Sequence, residues 1–129
     1  MMGRWTLFGE GKAIKKYKDR LRDFPDDAEA HFYLATAYEE KGRVQEAIGE
    51  FKETLRLNPK SAQSHFNLGI LYANADDGKN AILHILKAGN LFKQKGDANN
   101  KERAFKRLHD YYQKYGFKPE DFAEEIKEL

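Results

Sequence analysis

The sequence has no cysteine, three prolines and no long apolar run. The lack of cysteine excludes a disulfide framework and thiolate chemistry, and it fits a reducing compartment. The scarcity of proline leaves room for long uninterrupted helices. No apolar stretch approaches the ~20 residues of a membrane span, and the N-terminal stretch around Trp5 is too short for a signal peptide. We therefore expect a cytoplasmic protein that makes no contact with a membrane.

A strong excess of charge of one sign is also missing. The 129 residues include 23 Lys and Arg against 21 Asp and Glu, for a formal net charge of +2. Such a mild excess does not by itself indicate a nucleic-acid partner. Hydrophobic residues make up 40% of the chain and charged residues 34%. This composition is typical of a soluble helical protein with one real core.

The most informative feature is a stretch of the chain that recurs 34 residues later. Ala28–Pro59 forms the first copy, and the following residues repeat its apolar identities in one register. The paired positions are Ala28 and Ala62, His31 and His65, Phe32 and Phe66, Leu34 and Leu68, Tyr38 and Tyr72, Ala47 and Ala81, Ile48 and Ile82, and Leu57 and Leu91. Self-similarity at a fixed period of this size indicates a stacked repeat architecture.

These residues resemble the tetratricopeptide repeat pattern, W-x2-L-G-x2-Y followed by A-x3-F and then P. The first copy matches it with His31, Leu34, Ala35, Tyr38, Ala47, Phe51 and Pro59, and the second with His65, Leu68, Gly69, Tyr72, Ala81 and Ile85. The resemblance implies an all-α fold, a right-handed superhelical stack of antiparallel helix pairs with about seven helices. It also implies a non-catalytic scaffold that binds other proteins.

The repeat register divides residues 1–129, which we expect to form a single domain. A half-repeat helix covers 11–25, a repeat covers 28–61, a repeat with an extended second helix covers 62–101, and a degenerate repeat with capping helices covers 102–129. We place the first helix of the third unit at Glu102, 40 residues after Ala62. The last helix begins at Pro119, with Phe122, Ala123 and Ile126 on its apolar face.

Catalytic motifs are absent from the sequence. It contains no H-E-x-x-H, no phosphate-binding glycine loop and no G-x-S-x-G. The four histidines are His31, His65, His84 and His109. We expect His31 and His65 to pack beside a neighbouring helix, since two helices ~8–10 Å apart do not by themselves bring imidazoles to one zinc ion. We therefore predict no enzyme activity, no cofactor and no metal site.

The partner-binding residues follow from the family resemblance, because the first helix of each pair lines a concave groove in such arrays. The matching positions in this sequence are Phe32, Tyr33, Thr36, Phe66, Asn67, Ile70, Asn74, Arg103, Lys106 and Arg107. In one subfamily such positions hold the C-terminal carboxylate of a peptide. Asn67, Arg103 and Arg107 match that clamp, whereas Phe32 and Thr36 replace its lysine and asparagine.

We therefore expect the partner to be a protein segment with an acidic group or a C-terminal carboxylate. Arg103 and Arg107 are four residues apart and lie on one helical face. In the alternative interpretation they only pair with neighbouring acids such as Glu102 or Asp110. Such surface pairs contribute ~0–1 kcal/mol.

Two other functions remain open. The helix at 12–23 lacks the first helix of its repeat, so a second copy of the chain could cover its apolar edge and form a homodimer. Alternatively, Trp5, Leu7 and Phe8 cover that edge within the chain. A basic run from Lys101 to Lys114, together with the basic helix at 12–23, keeps RNA binding as a less favoured hypothesis.

Overall fold

The computed structural model of the protein describes residues 11–129, and over this range it is all-α, as predicted. Trp5, Leu7 and Phe8 lie outside the described residues. Seven α-helices are seen between residues 11 and 129, with a short 3-10 helix at Pro119–Phe122 before the last. They are α1 (Lys12–Asp23), α2 (Ala28–Glu40), α3 (Val44–Leu57), α4 (Ala62–Asn74), α5 (Gly78–Gln94), α6 (Ala98–Tyr115) and α7 (Ala123–Lys127).

Short polar side chains start four of these helices. The Asp27 carboxylate accepts a hydrogen bond from the Ala30 N–H at 3.1 Å, and Ser61 Oγ accepts one from the Ser64 N–H at 3.3 Å. Asp77 and Asp97 cap α5 and α6 in the same way. Such caps satisfy N–H groups of the first turn, which have no partner within the helix. These side chains therefore help to fix where the four helices begin.

The described chain falls into two compact units, the first ending at Pro59 and the second spanning Lys60–Leu129. In unit 1, a short connection folds α3 back against α2, and α1 packs on α2. Ile14, Leu34, Ala47 and Phe51 are buried there. Burying these side chains is the main force that holds the three helices together, because helix propensity alone rarely stabilises helices of this length.

Unit 2 packs α5 between α4 and α6. Its core includes Ile82, Ile85, Phe92, Leu108 and Phe122. The Tyr115 hydroxyl at the end of α6 donates a hydrogen bond to the Ala73 carbonyl at 3.0 Å, which ties α6 to the end of α4. The unit therefore combines a continuous apolar core with at least one polar tie between its first and third helices.

The start of α6 differs from the prediction. The helix begins at Ala98, one turn before Glu102, because Asp97 caps it there. Its buried residues nevertheless follow the predicted shift of 40 residues. Ser64, Leu68 and Leu71 are buried in α4, and the corresponding Ala104, Leu108 and Tyr111 are buried in α6. The three buried residues of α6 thus fit this shift, but Phe105, the counterpart of the buried His65, is 38% exposed, and the extra N-terminal turn of the helix was missed.

The C-terminal segment also departs from the prediction. Phe122 is buried as expected, but Ala123 is exposed and Ile126 is 41% exposed. A four-residue 3-10 helix precedes the five-residue α7. The 3-10 helix has three residues per turn instead of 3.6, so the α-helical spacing used to assign the apolar face does not apply across the junction.

Gly69 marks a close approach of α4 to α5. A Cβ atom at this position would stand 2.7 Å from Cγ1 of Ile85 and 3.1 Å from the Ala81 carbonyl oxygen. We expect Gly69→Ala to lower the free energy of unfolding by about 1–3 kcal/mol, because an added methyl group overpacks the helix contact. Urea denaturation measures this change.

Gly49 in α3 provides the matched control, since it is exposed and an added Cβ would meet nothing within 4 Å. Gly49→Ala should raise the free energy of unfolding by about 0.5–1 kcal/mol, because alanine favours the helix more than glycine does. Equal stabilisation by both substitutions would contradict the close contact between α4 and α5 at Gly69.

Candidate functional site

Helix α6 carries a group of basic side chains on its solvent-facing side. Its buried stripe of Ala104, Leu108 and Tyr111 anchors the helix to the core and leaves the other faces to solvent. Five basic side chains project from these other faces, namely Lys101, Arg103, Lys106, Arg107 and Lys114. Its only acidic residues are Glu102 and Asp110. The helix therefore offers a positively charged surface that its own core contacts hold in place.

Arg103 is held by two contacts within unit 2. Its guanidinium carbon lies 5.3 Å from the centroid of the Phe66 ring, and its Nη1 donates a hydrogen bond to Asn100 Oδ1 at 2.9 Å. A guanidinium over an aromatic face is attracted by the ring quadrupole. These contacts orient the side chain without neutralising its charge.

Arg107 lies one turn further along α6, beside the Tyr111 hydroxyl. Burial raises the pKa of Tyr111, and the neighbouring Arg107 guanidinium partly offsets that rise. In the part of the chain that the structure describes, neither Arg103 nor Arg107 forms an ion pair with a carboxylate. The alternative pairing with Glu102 or Asp110 is thus absent here.

Unit 1 shows the opposite pattern, because several of its basic side chains are paired. Lys15 pairs with Asp19, Arg20 with Asp27, Arg22 with Asp19, Arg43 with Glu46, and Arg56 with Asp26 and Glu53. The pKa of Asp27 is lowered by its hydrogen bond from Arg20 and also by the Ala30 N–H. The uncompensated guanidinium groups of α6 are therefore a distinctive feature of unit 2.

Comparison with known proteins identifies the architecture. Residues 11–62 match the family described as tetratricopeptide repeat. These residues cover α1, the α2–α3 pair and the start of α4. This stretch is therefore similar to tetratricopeptide repeats, over 52 of the 129 residues. Repeats of this kind generally bind other proteins, and the match supports a role of that general kind.

Two crystal structures of MamA have a similar fold. One is 21% identical with a TM-score of 0.58, and the match covers 80% of this chain and 68% of the MamA chain. The other is 20% identical with a TM-score of 0.60, and it covers 97% and 84%. No curated protein matches the sequence. At this level of identity the structures establish the fold.

The predicted groove residues on α4 have different environments. Phe66 is only 4% exposed and packs edge-on against Phe92, with ring centroids 6.4 Å apart, so it serves mainly as a support for Arg103. Asn67 is half-buried, and its Oδ1 accepts a hydrogen bond from Gln63 Nε2 at 2.8 Å. Ile70 is half-buried and Asn74 is exposed.

The predicted groove residues of the first tetratricopeptide repeat form an aromatic patch in unit 1. The half-buried Phe32 ring lies 5.6 Å from both the Phe51 and Tyr33 rings. Tyr33 is 42% exposed and stacks on Tyr17 with centroids 5.5 Å apart. The Thr36 hydroxyl donates to the Phe32 carbonyl and lies half-buried. Among these residues, Tyr33 has the largest accessible surface for a partner.

His31 and His65 occupy equivalent positions in the two repeats. Both are buried, and each contacts the second helix of its own repeat. His31 Nδ1 is 2.6 Å from Glu50 Oε1, and His65 Nδ1 is 3.0 Å from His84 Nδ1. The expected packing beside a neighbouring helix is confirmed, but these partners were missed. The 34-residue period contains the signal, because Glu50 and His84 occupy equivalent positions.

Neither a metal site nor a membrane-spanning helix is seen between residues 11 and 129. No group of three or more His, Cys, Asp or Glu side chains there is arranged to hold a metal ion. None of the helices in that range has the length and apolarity needed to cross a bilayer.

Proposed function

We propose that this protein is a non-catalytic interaction module and that its unit 2 binds an acidic segment of another protein on α6. The observation that carries the proposal is that, within residues 11–129, neither Arg103 nor Arg107 forms an ion pair, although the two lie one turn apart on the same helix face. Two guanidinium groups in this arrangement can donate charge-assisted hydrogen bonds to one carboxylate or to two neighbouring ones. The acidic group is either a side chain or a C-terminal carboxylate.

The contacts around Arg103 favour binding, because they restrict the side chain before the partner arrives. Phe66 and Asn100 hold the guanidinium, so less conformational entropy is lost when it binds. Asn67 uses its oxygen for Gln63, which leaves its amide hydrogens to donate. Lys106 adds a third positive charge nearby on α6.

Other predicted positions supply apolar and amide contacts in this proposal. Ile70 and Asn74 extend the surface on α4. Phe32, Tyr33 and Thr36 form a separate contact surface on unit 1, suited to apolar side chains. A flexible segment with acidic and apolar residues has the chemistry that these positions would recognise.

The decisive experiment removes both guanidinium groups. We expect Arg103→Ala with Arg107→Ala to weaken binding of a fluorescein-labelled acidic peptide by roughly tenfold or more, because hydrogen bonds to charged groups contribute ~1.5–3 kcal/mol. The thermal stability should change little, since exposed charges contribute little to folding. Fluorescence anisotropy measures binding, and free-acid and amidated peptides separate a C-terminal carboxylate from acidic side chains.

Lys12→Ala with Lys16→Ala is the matched control, because these two exposed cations are also four residues apart but lie on α1. The control should retain the affinity of the wild-type protein. Equal weakening by both double variants would mean that only net charge matters and would contradict a site on α6. Wild-type affinity after loss of both arginines would place the binding surface elsewhere.

The two alternative functions have different signatures in the same experiments. RNA binding would displace the peptide and would weaken steeply as salt increases, because counterions are released from phosphates. Self-assembly would give a molar mass that rises with concentration in light scattering, independently of the peptide. Either result without peptide binding would replace the proposed function.

A further inference from the structure

The two repeats hold their equivalent histidines with different partners. In each repeat the partner lies 19 residues after the histidine, on the second helix of the pair. In unit 1 the partner is the carboxylate of Glu50, whereas in unit 2 it is the imidazole of His84. An acceptor-only group in one repeat is thus replaced by a group that can both donate and accept.

The geometry in unit 2 is that of a hydrogen bond between two ring nitrogens. The Nδ1 atoms of His65 and His84 are 3.0 Å apart, the ring centroids are 5.3 Å apart, and the planes are inclined by 26°. The nitrogen atoms are much closer than the centroids, so the ring edges face each other. One nitrogen therefore donates its proton and the other accepts it.

The 3.0 Å distance between the two Nδ1 atoms suits a shared proton better than a bound metal ion. Two nitrogen ligands at ~2.0–2.1 Å from a tetrahedral zinc ion stand ~3.3 Å apart. The observed 3.0 Å is shorter, and no cluster of three ligating side chains exists within residues 11–129. The pair is therefore better suited to share a proton than to bind a cation.

The helices α4, α5 and α6 carry more basic than acidic side chains. The Tyr72 ring stacks on His84 with centroids 5.5 Å apart. Helices α4 and α5 contain no Asp or Glu. The other titratable groups on α5, in the α4–α5 turn and on α6 are Lys79, Lys87, Lys93, Asp76, Asp77, Lys101, Glu102, Arg103, Lys106, Arg107, His109, Asp110, Tyr111, Tyr112, Lys114 and Tyr115.

We propose that His65 and His84 share a single proton that joins α4 to α5, and that protonation of both rings breaks this contact and destabilises unit 2. When both Nδ1 atoms carry a proton, two donors and two positive charges face each other. The folded unit therefore binds the second proton less readily than the unfolded chain does. Its stability falls as the pH drops below the ordinary histidine value of about 6.5.

The corresponding contact in unit 1 should respond in the opposite direction. Burial alone would lower the pKa of His31, but hydrogen bonds to Glu50 and the Pro25 carbonyl, with the charges of Glu50 and Glu53, raise it overall. A raised folded-state pKa adds stability that is complete below about 6.5 and is lost as the pH rises through the raised value. Acidification therefore changes the stability of the two repeats in opposite directions.

The test begins with an NMR titration of the imidazole resonances in the full wild-type chain. We expect His65 and His84 to titrate together in two steps, the second at least about one pH unit below the first, as strongly interacting sites do. His84→Gln assigns the resonances by removing one of them. Independent titration of the two rings with equal midpoints would overturn the proposal, as would simultaneous loss of both signals on one equivalent of Zn²⁺ at neutral pH.

Amide hydrogen exchange on the same chain locates the effect. Between about pH 7.5 and about pH 5, corrected for the intrinsic exchange rate, protection of α4 and α5 should fall in the wild type. His84→Glu introduces the carboxylate found at the equivalent position of unit 1 and should abolish most of this fall. The reciprocal Glu50→His should create acid sensitivity in α2 and α3. An unchanged acid response of α4 and α5 in His84→Glu would show that the pair is not the cause.

Discussion

Leu68→Ala is expected to lower the free energy of unfolding by about 2–5 kcal/mol. Leu68 lies in the middle of α4 and its exposed fraction is 0%. Truncation removes buried methyl groups and leaves a cavity that the surrounding helices fill only partly. Chemical denaturation monitored by circular dichroism measures the loss, because the helical signal reports directly on an all-α chain.

Leu68→Met separates this cavity effect from a general sensitivity of α4 to substitution. Methionine conserves most of the volume, so this variant should lose less than about 1.5 kcal/mol. An alanine variant as stable as the methionine variant would show that Leu68 does not belong to a tightly packed core. The prediction follows from the repeat register as well as from burial, since Leu34 is the equivalent residue of the first repeat and is also buried.

Phe122→Ala should cost about 3–5 kcal/mol, although the residue lies close to the C-terminal end of the chain. Phe122 is 1% exposed, and its ring lies 5.4 Å from that of Phe117 and 6.0 Å from that of Tyr112. The short 3-10 helix therefore contributes a large aromatic side chain to the core of unit 2. Urea denaturation followed by the circular dichroism of the helices measures the effect.

Ile126→Ala is the control within the same segment. Ile126 is 41% exposed, so its truncation should change the free energy of unfolding by no more than about 0.5–1 kcal/mol. Similar losses for both variants would show that the whole C-terminal segment packs as a unit, contrary to the observed difference in burial. A negligible loss for Phe122→Ala would contradict the packing of the 3-10 helix against α6.

Part of the proposed binding site on α6 could be predicted from the sequence. The spacing of Arg103 and Arg107 places both on one face of a helix, and the buried residues of α6 fit the shifted repeat register. The absence of ion pairs at these arginines was not predictable. Glu102 and Asp110 are close along the chain, but Phe66 on another helix and Asn100 compete for the Arg103 side chain. Only the packed helices bring Phe66 within reach.

The histidine pair shows a similar division between sequence and structure. The period alone makes His84 the counterpart of Glu50. Whether two side chains 19 residues apart touch depends on how α4 and α5 cross, and Gly69 permits a close approach of these helices because it has no side chain. A hydrogen bond between imidazoles is also sensitive to changes of a few tenths of an ångström, which no periodic pattern specifies.

By itself, the sequence determined the repeat period and the helical class. Local signals govern these features, since capping side chains and apolar spacing act within one or two turns. The tertiary structure decided the early start of α6, the burial of Phe122 rather than Ile126, and the partners of Arg103 and His65. These features depend on contacts between residues far apart in the chain, where several local arrangements compete and packing selects one.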